Sequence, residues 1–508
     1  MTYFEALYLF LMLPALVIVY QLLPRKVRWI SLLAASILFY VSISGVLLIW
    51  VILAAAWTWG LGILLENLRG DRRQGKILLL GILGLLATLA VFKYAGFIQI
   101  NAGRLYRLFH PRHQIIWRTF AAPLGISFYT LDAIGYLTDV FWGKMKPEKN
   151  PLRILLILCF FPKVMEGPIL SSGQLQKELR AGDPIRFQNL ADGSIRIVWG
   201  LFKEYVIANR LIIDVNAIFN HYEQYSGAVI AVSGILYALQ LYMDFSGTMD
   251  VVLGSAKLFG IGMPENFRQP FFAVNASEFW RRWHITLGVW FRTYIFYPIS
   301  LSKPVMKWNR YARKKYGRYI MQLGTTAVCI FPVWLANGVW HGGQWNYLFY
   351  GMYYFVILMI EAALVPVRKG IEKRLPGTWA KNLWKLFRIV KNWFVIFTGE
   401  MFFRANGLRA GFRMFRSMFR GFTFRTFTDG TLFTLGLSRA GCMLAGVGII
   451  VVFLYDLCRE LNFVPDKRIG KWETPVRWTL YYALIIAVFL FGAYGAGYLK
   501  VDMIYAGF

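Results

Sequence analysis

Two histidines stand where chemistry could be done. His341 lies in LANGVWHGGQWNYLFYG, residues 335–351, between two apolar runs and flanked by Gly338, Gly342 and Gly343. A neutral imidazole shielded from bulk water is a competent general base near pH 7. The three glycines take side-chain bulk away from both sides of it, leaving room for another backbone or a thin acyl chain. His284 lies in EFWRRWHITLGVWFRTYIF, residues 278–296. On a continuous helix, Trp280 and Arg281 fall one turn before it and Gly288 one turn after. Arg281 and Arg282 then point about 100° apart, so that one can face headgroups while the other faces the interior. The remaining histidines, His110, His113 and His221, sit in polar links and read as solvated.

Other chemistries find no support in the spacing. His284 and His341 have no HxxxH or HExxH partner, so no metal site is expected. There is no GxSxG elbow for a serine nucleophile, and GSAKLFGIG at 254–262 lacks the glycine spacing that cradles phosphates. Ionisable residues gather instead where Gly and Pro interrupt apolar runs, at 161–169, 263–272 and 337–345. Lys163, Glu166, Asp244, Asp250 and Glu278 lie in or beside these segments. Backbone freed from helix inside a bilayer must be buried in protein or line a wet cavity, and ionisable residues there mark functional sites.

The elements that position these groups follow from composition. Of 508 residues, 57% are hydrophobic and 16% charged, and the mean hydropathy is +0.49. Apolar runs long enough to cross a bilayer recur along the chain, and roughly 11 to 14 crossings are counted. Residues 29–65 read as two helices divided at SISG, 42–45. Continuous apolar blocks exclude a β-barrel, whose strands alternate. The expectation is an all-α polytopic membrane protein, one domain over residues 1–508, whose bundle surrounds a central polar funnel with interfacial or re-entrant helices. The N-terminus has no basic n-region and carries Glu5, so a cleaved signal peptide is not expected. Residues 442–498 form a C-terminal helix pair. At 406–422, Arg409, Arg413, Arg416 and Arg420 share one helical stripe with Phe412, Phe415, Met418 and Phe419 opposite, so this segment should lie in the interface plane.

The net charge of +30 could suggest nucleic acid, but the basic residues cluster in short links between apolar spans, at 68–76, 303–318 and 368–391. Links of this kind are cytoplasmic and face anionic lipid or an acidic substrate; no nucleic-acid partner is expected. Counting back from Leu68 through three helices places the N-terminus outside. Cys159, Cys329, Cys442 and Cys458 are widely spaced in apolar segments and read as buried thiols.

The set ENFRQPF (265–271), EFWRRWHITLGVWFRTYIFYP (278–298) and NGVWHGGQWNYLFYG (337–351) resembles the membrane-bound O-acyltransferase family, in particular its bacterial alginate O-acetyltransferase branch. PLGISFYTLDAIGYLTDVFWG (123–143), GLFKEYVIANRL (200–211), LYMDFSGTMDVVLG (241–254) and GEMFFRANGL (399–408) extend the likeness in the family's order. The resemblance implies acyl transfer from a thioester donor to a hydroxyl at the multi-pass bacterial plasma membrane. It makes His341 catalytic and places His284 in the same funnel, with Asn337, Trp340, Arg281, Glu278 and Asp244 in support. No permanently bound cofactor is implied; acetyl-CoA or another thioester, such as an acyl-carrier protein, would be a substrate. An extracytoplasmic partner acetyltransferase and a polysaccharide acceptor are implied as well. D-alanyl transfer to teichoic acid is the second enzyme reading, and a polysaccharide or ion transporter using Asp244, Asp250 and Glu166 is the reading from another class.

Overall fold

The computed structural model describes residues 1–110, 120–170, 172–463 and 472–494. Residues 111–118 of the arginine-rich link, with His113, and residues 495–498 of the last apolar segment lie outside the described residues. The described chain is helical throughout, without a strand. It divides into two compact units, one of Met1–Gly200 with Thr248–Glu265, the other of Leu201–Gly247 with the described residues from Asn266 on.

Among the described residues, six helical stretches are long and apolar enough to cross a membrane: Arg25–Asn67, Gln74–Phe109, Gly227–Leu258, Lys303–His341, Arg439–Glu460 and Thr474–Phe491. A bent pair, Trp345–Ala363 with Val365–Arg374, makes a seventh. The larger number of apolar runs in the sequence includes shorter helices such as Pro151–Cys159, whose last six residues are all buried. Such a run is apolar because protein surrounds it, and hydropathy alone does not separate that from lipid.

In the first unit, Arg28–Ser44 and Leu48–Asn67 are divided at Gly45, as SISG predicts, with φ at +51° in a region only glycine adopts freely. Both pack on Pro151–Cys159. Two cations here are held by carboxylates. Lys163 forms an ion pair with Asp132, both 3% exposed, and Arg196 bonds Asp250 at 3.1 Å and Glu265 at 2.5 Å. Lys163 and Asp250 thus have structural partners within their own unit.

The second unit holds both histidine motifs. Among its helices are α1 Asn209–Asn220, α2 Gly227–Leu258 (within this unit to Gly247), α3 Ala276–Arg282, α4 Ile285–Phe291, α5 Lys303–His341, α6 Trp345–Ala363, α7 Gly377–Arg404, α8 Leu408–Ser417 and α9 Arg439–Glu460. The helix expected at 406–422 is α8, 10 residues long. Arg409, Arg413 and Arg416 on it are exposed, as is Arg420 just beyond; Gly411 and Met414 are buried, and Phe412 is 49% exposed. Cys329 is buried, Cys442 and Cys458 are half-buried, and in the first unit Cys159 is buried; all four are free thiols.

Candidate active site

α5 stops at His341 because Gly342 takes an extended conformation, φ 160° and ψ 167°, that α-helix cannot continue. The chain reverses through residues 342–344 and returns as α6. The two helices seat backbone against backbone. A Cβ at Gly338 would stand 2.5 Å from the Tyr347 carbonyl oxygen, and one at Gly351 would stand 2.3 Å from the Trp334 carbonyl oxygen. This corrects the use assigned to the flanking glycines. Gly338 and Gly342 do not open a path to the imidazole; their missing side chains are replaced by Tyr347 of α6. Close seating of two helices demands small residues just as approach of a ligand does, so the sequence alone does not distinguish the two.

The seating places His341, 5% exposed, in an aromatic cage. Its ring meets Trp340 at 4.9 Å, Phe403 at 5.0 Å and Tyr350 at 5.8 Å between centroids, all near perpendicular. Tyr350 donates its hydroxyl to Glu400 Oε1 at 2.9 Å. Glu400, 2% exposed, stands on α7, where the preceding Gly399 admits Tyr354: a Cβ there would be 2.4 Å from the Tyr354 hydroxyl. Asn346 Nδ2 donates to the Phe403 carbonyl at 3.1 Å, tying the start of α6 to the end of α7. Asn337 lies one turn before His341 on α5 and is buried; its Oδ1 has no donor among the described residues.

His284 does not lie within a helix. The chain breaks between α3 and α4, and His284 itself takes left-handed φ 45°, ψ 51°, rare for a residue other than glycine. Asn266 explains the break. Its carbonyl accepts Ile285 N at 3.0 Å; its side-chain Oδ1 accepts Thr286 N at 3.0 Å and Thr286 Oγ1 at 2.9 Å, and lies 3.4 Å from His284 Nδ1. His284 is 4% exposed, and burial pushes its imidazolium down to about 3, so it is neutral at physiological pH. Its ring stands 5.7 Å from Trp340 and 4.9 Å from Phe245. Trp340 therefore touches both imidazoles and joins the two motifs.

The other candidates divide. Asp244, 1% exposed, lies next to the Phe245 that packs on His284, and takes a hydrogen bond from Gln240 Nε2 at 3.2 Å. Nearby on the π-helix Phe202–Ala208, Lys203 donates to Ser246 Oγ at 2.9 Å; single π turns often hold functional groups. Glu278 acts on its own helix end. Asn275 accepts Glu278 N at 2.8 Å while Glu278 Oε2 accepts Val274 N at 3.2 Å, a reciprocal cap that starts α3. Arg281 is exposed and donates to Ser277 Oγ at 2.9 Å. Arg282 is the inward arginine, bonding Glu278 Oε1 and Glu460 Oε2, each at 2.6 Å. Thus His284, Trp340 and His341 are brought together; Asn337 stands one turn before His341 on α5 and Asp244 directly precedes the Phe245 that packs on His284, whereas Glu278 starts α3 and Arg281, in its last turn, is exposed. Tyr350, Glu400 and Asn266 were missed as individual residues. The signal was present for all three, as Tyr350, Glu400 and Asn266 lie within NGVWHGGQWNYLFYG, GEMFFRANGL and ENFRQPF. Among the described residues no three His, Cys, Asp or Glu side chains gather to hold a metal.

Residues 150–405, which contain every group of this site, match the membrane-bound O-acyltransferase family, MBOAT. The chain belongs to that family. It is an O-acyltransferase of the membrane, and its relatives are named for several different reactions. The acyltransferase is 28% identical over 454 residues to the probable alginate O-acetylase AlgI of Pseudomonas aeruginosa, covering 89% of this chain and 80% of that one. It is 27% identical over 372 residues to the peptidoglycan O-acetyltransferase of Helicobacter pylori, covering 67% and 64%. It is 28% identical over 303 residues to the teichoic acid D-alanyltransferase of Bacillus subtilis, covering 58% and 71%.

Proposed function

We propose that this acyltransferase moves an acetyl group from a thioester donor, acetyl-CoA or an acyl-carrier protein, to a hydroxyl on the route to O-acetylation of an extracytoplasmic polysaccharide. The observation that carries the reading is the setting of His341, a buried imidazole at a helix end, caged by aromatic rings and joined through Trp340 to the second histidine. His341 takes the proton of the attacking hydroxyl, and the freed oxygen adds to the thioester carbonyl. Collapse of the tetrahedral adduct breaks the C–S bond, and the imidazolium returns its proton to the departing thiolate. Asn337 offers an amide one helical turn away to stabilise the oxyanion. His284 stays neutral and shapes the site beside Trp340. The dry cage also limits loss of acetyl to water.

The final acceptor is a polysaccharide because two of the three relatives are named for acetylating one. D-alanyl transfer is the second reading; the relative of that name matches 58% of this chain against 89% for the alginate relative. The lysine- and arginine-rich segments 303–318 and 368–391 put that end of the second unit in the cytoplasm, where a thioester donor resides, and leave a separate extracytoplasmic protein to complete transfer. The test is transfer of labelled acetyl in membranes. His341→Ala abolishes it at unchanged expression, and His284→Ala reduces it less completely. Transfer surviving His341→Ala removes the catalytic assignment, and equal loss at His284 reverses the order.

A further inference from the structure

A cavity of about 850 Å³ opens at the end of α3, bounded by the first half of α7, the helix Val365–Arg374 and the last residue of α9. Six cationic side chains line it against three carboxylates. The carboxylates are already used. Glu278 and Glu460 share Arg282 at 2.6 Å each, and Glu372 holds Arg388 at 2.9 Å. That leaves Lys369, Lys373, Lys381 and Lys385 facing the cavity, none with an ion-pair partner among the described residues. All four are exposed, so water and salt screen their mutual repulsion in part, and an anion held between them would relieve the remainder.

On the same stretch of α7, Trp379, Leu383, Leu386 and Phe387 are 75%, 46%, 53% and 57% exposed, an apolar stripe for lipid on a helix whose lysines line the cavity. Exposed tryptophan beside lysine is the composition of an interface belt.

We propose that this cavity is a phosphate-binding site on the cytoplasmic face, with Lys369, Lys373, Lys381 and Lys385 as its cationic ligands. The shared chemistry is a phosphate ester, and two sources carry it: the nucleotide of a soluble thioester donor, or the headgroup of an anionic phospholipid. The first source rests on the donor proposed above; the second does not.

The test uses the full chain carrying His341→Ala, so that binding is read without catalysis and a failed catalytic assignment leaves it intact. Reconstituted in phosphatidylcholine nanodiscs, it is titrated with coenzyme A; in mixed discs, retained phosphatidylglycerol is counted by native mass spectrometry. Lys369→Ala/Lys373→Ala/Lys381→Ala/Lys385→Ala is compared with the fourfold arginine replacement, which keeps the charge and controls for folding. Loss of coenzyme A binding by about tenfold or more in the alanine variant alone, steeper at low salt, identifies the soluble phosphate. Loss of phosphatidylglycerol retention alone identifies the lipid. If neither probe separates the alanine variant from the parent while the arginine variant is folded, the site does not exist.

Discussion

Gly351→Ala probes the seat that presents His341. The added Cβ would lie 2.3 Å from the carbonyl oxygen of Trp334, and the positions of both atoms are fixed by helix backbone, so no rotamer change relieves the contact. Carbon reaches favourable contact at about 3.5 Å, so α5 and α6 must part by about 1 Å. Tyr350, the residue before the substitution, forms one wall of the His341 cage, and the displacement falls on it directly. A misplacement of about 1 Å near reacting groups costs about 100-fold in rate, equivalent to about 2.7 kcal/mol of transition-state stabilisation. Overpacking of this kind costs about 1–3 kcal/mol in stability, so the protein should still fold. The assay is kcat for labelled acetyl transfer by purified protein, with thermal unfolding alongside. Gly446→Ala on α9, where a Cβ meets nothing within 4 Å, is the control and should match the parent. If Gly351→Ala keeps parental kcat and unfolding temperature, close seating of α5 on α6 does not position the histidine.

Tyr350→Phe strips the hydroxyl from a buried Glu400 oxygen and should lower stability by about 1–3 kcal/mol, read by thermal unfolding. Glu400→Gln keeps an acceptor for that hydroxyl and should hold kcat within a few-fold of the parent, while Glu400→Ala loses more; equal losses would show that the hydrogen bond is irrelevant. Arg281→Ala should change stability by less than about 0.5 kcal/mol, since the side chain is exposed. Arg282→Ala leaves two partly buried carboxylates without their cation and should cost about 2 kcal/mol or more in the same unfolding measurement. His284 titrates about 3 when folded and near 6.5 when unfolded, so the unfolded chain binds the extra proton between these values. Its contribution to stability is present above about pH 6.5 and is lost as pH falls toward 3; His284→Gln should flatten that part of a stability-against-pH curve.

The two histidines and the division at SISG were legible because they depend on local chemistry: a glycine-flanked imidazole and an apolar run interrupted by polar residues. So was the split between Arg281 and Arg282, which follows from helical geometry, although only the structure shows that Arg282 is the inward one. The break at His284 was not legible. It is imposed by Asn266, 18 residues away in sequence, whose side chain competes with the helix for Thr286 N. Glu400 was hidden for the same reason, as its relation to His341 exists only through Tyr350 on a third helix. Apolar runs overstated the number of membrane-length helices because a helix buried in protein and one buried in lipid carry the same composition.

The left-handed backbone at residue 284 also constrains how this position can diverge. β-Branched side chains are nearly excluded there by sterics, while Asn and Asp, whose short polar chains tolerate the conformation, and Gly, which has no Cβ, are admitted. Drift at this site is therefore channelled by the main chain before selection on chemistry acts. In a saturation library scored for folding alone, the survivors at 284 should be enriched in Asn, Asp and Gly and depleted in Val and Ile. A second such library scored for acyl transfer would then measure what the imidazole adds beyond an acceptable fold.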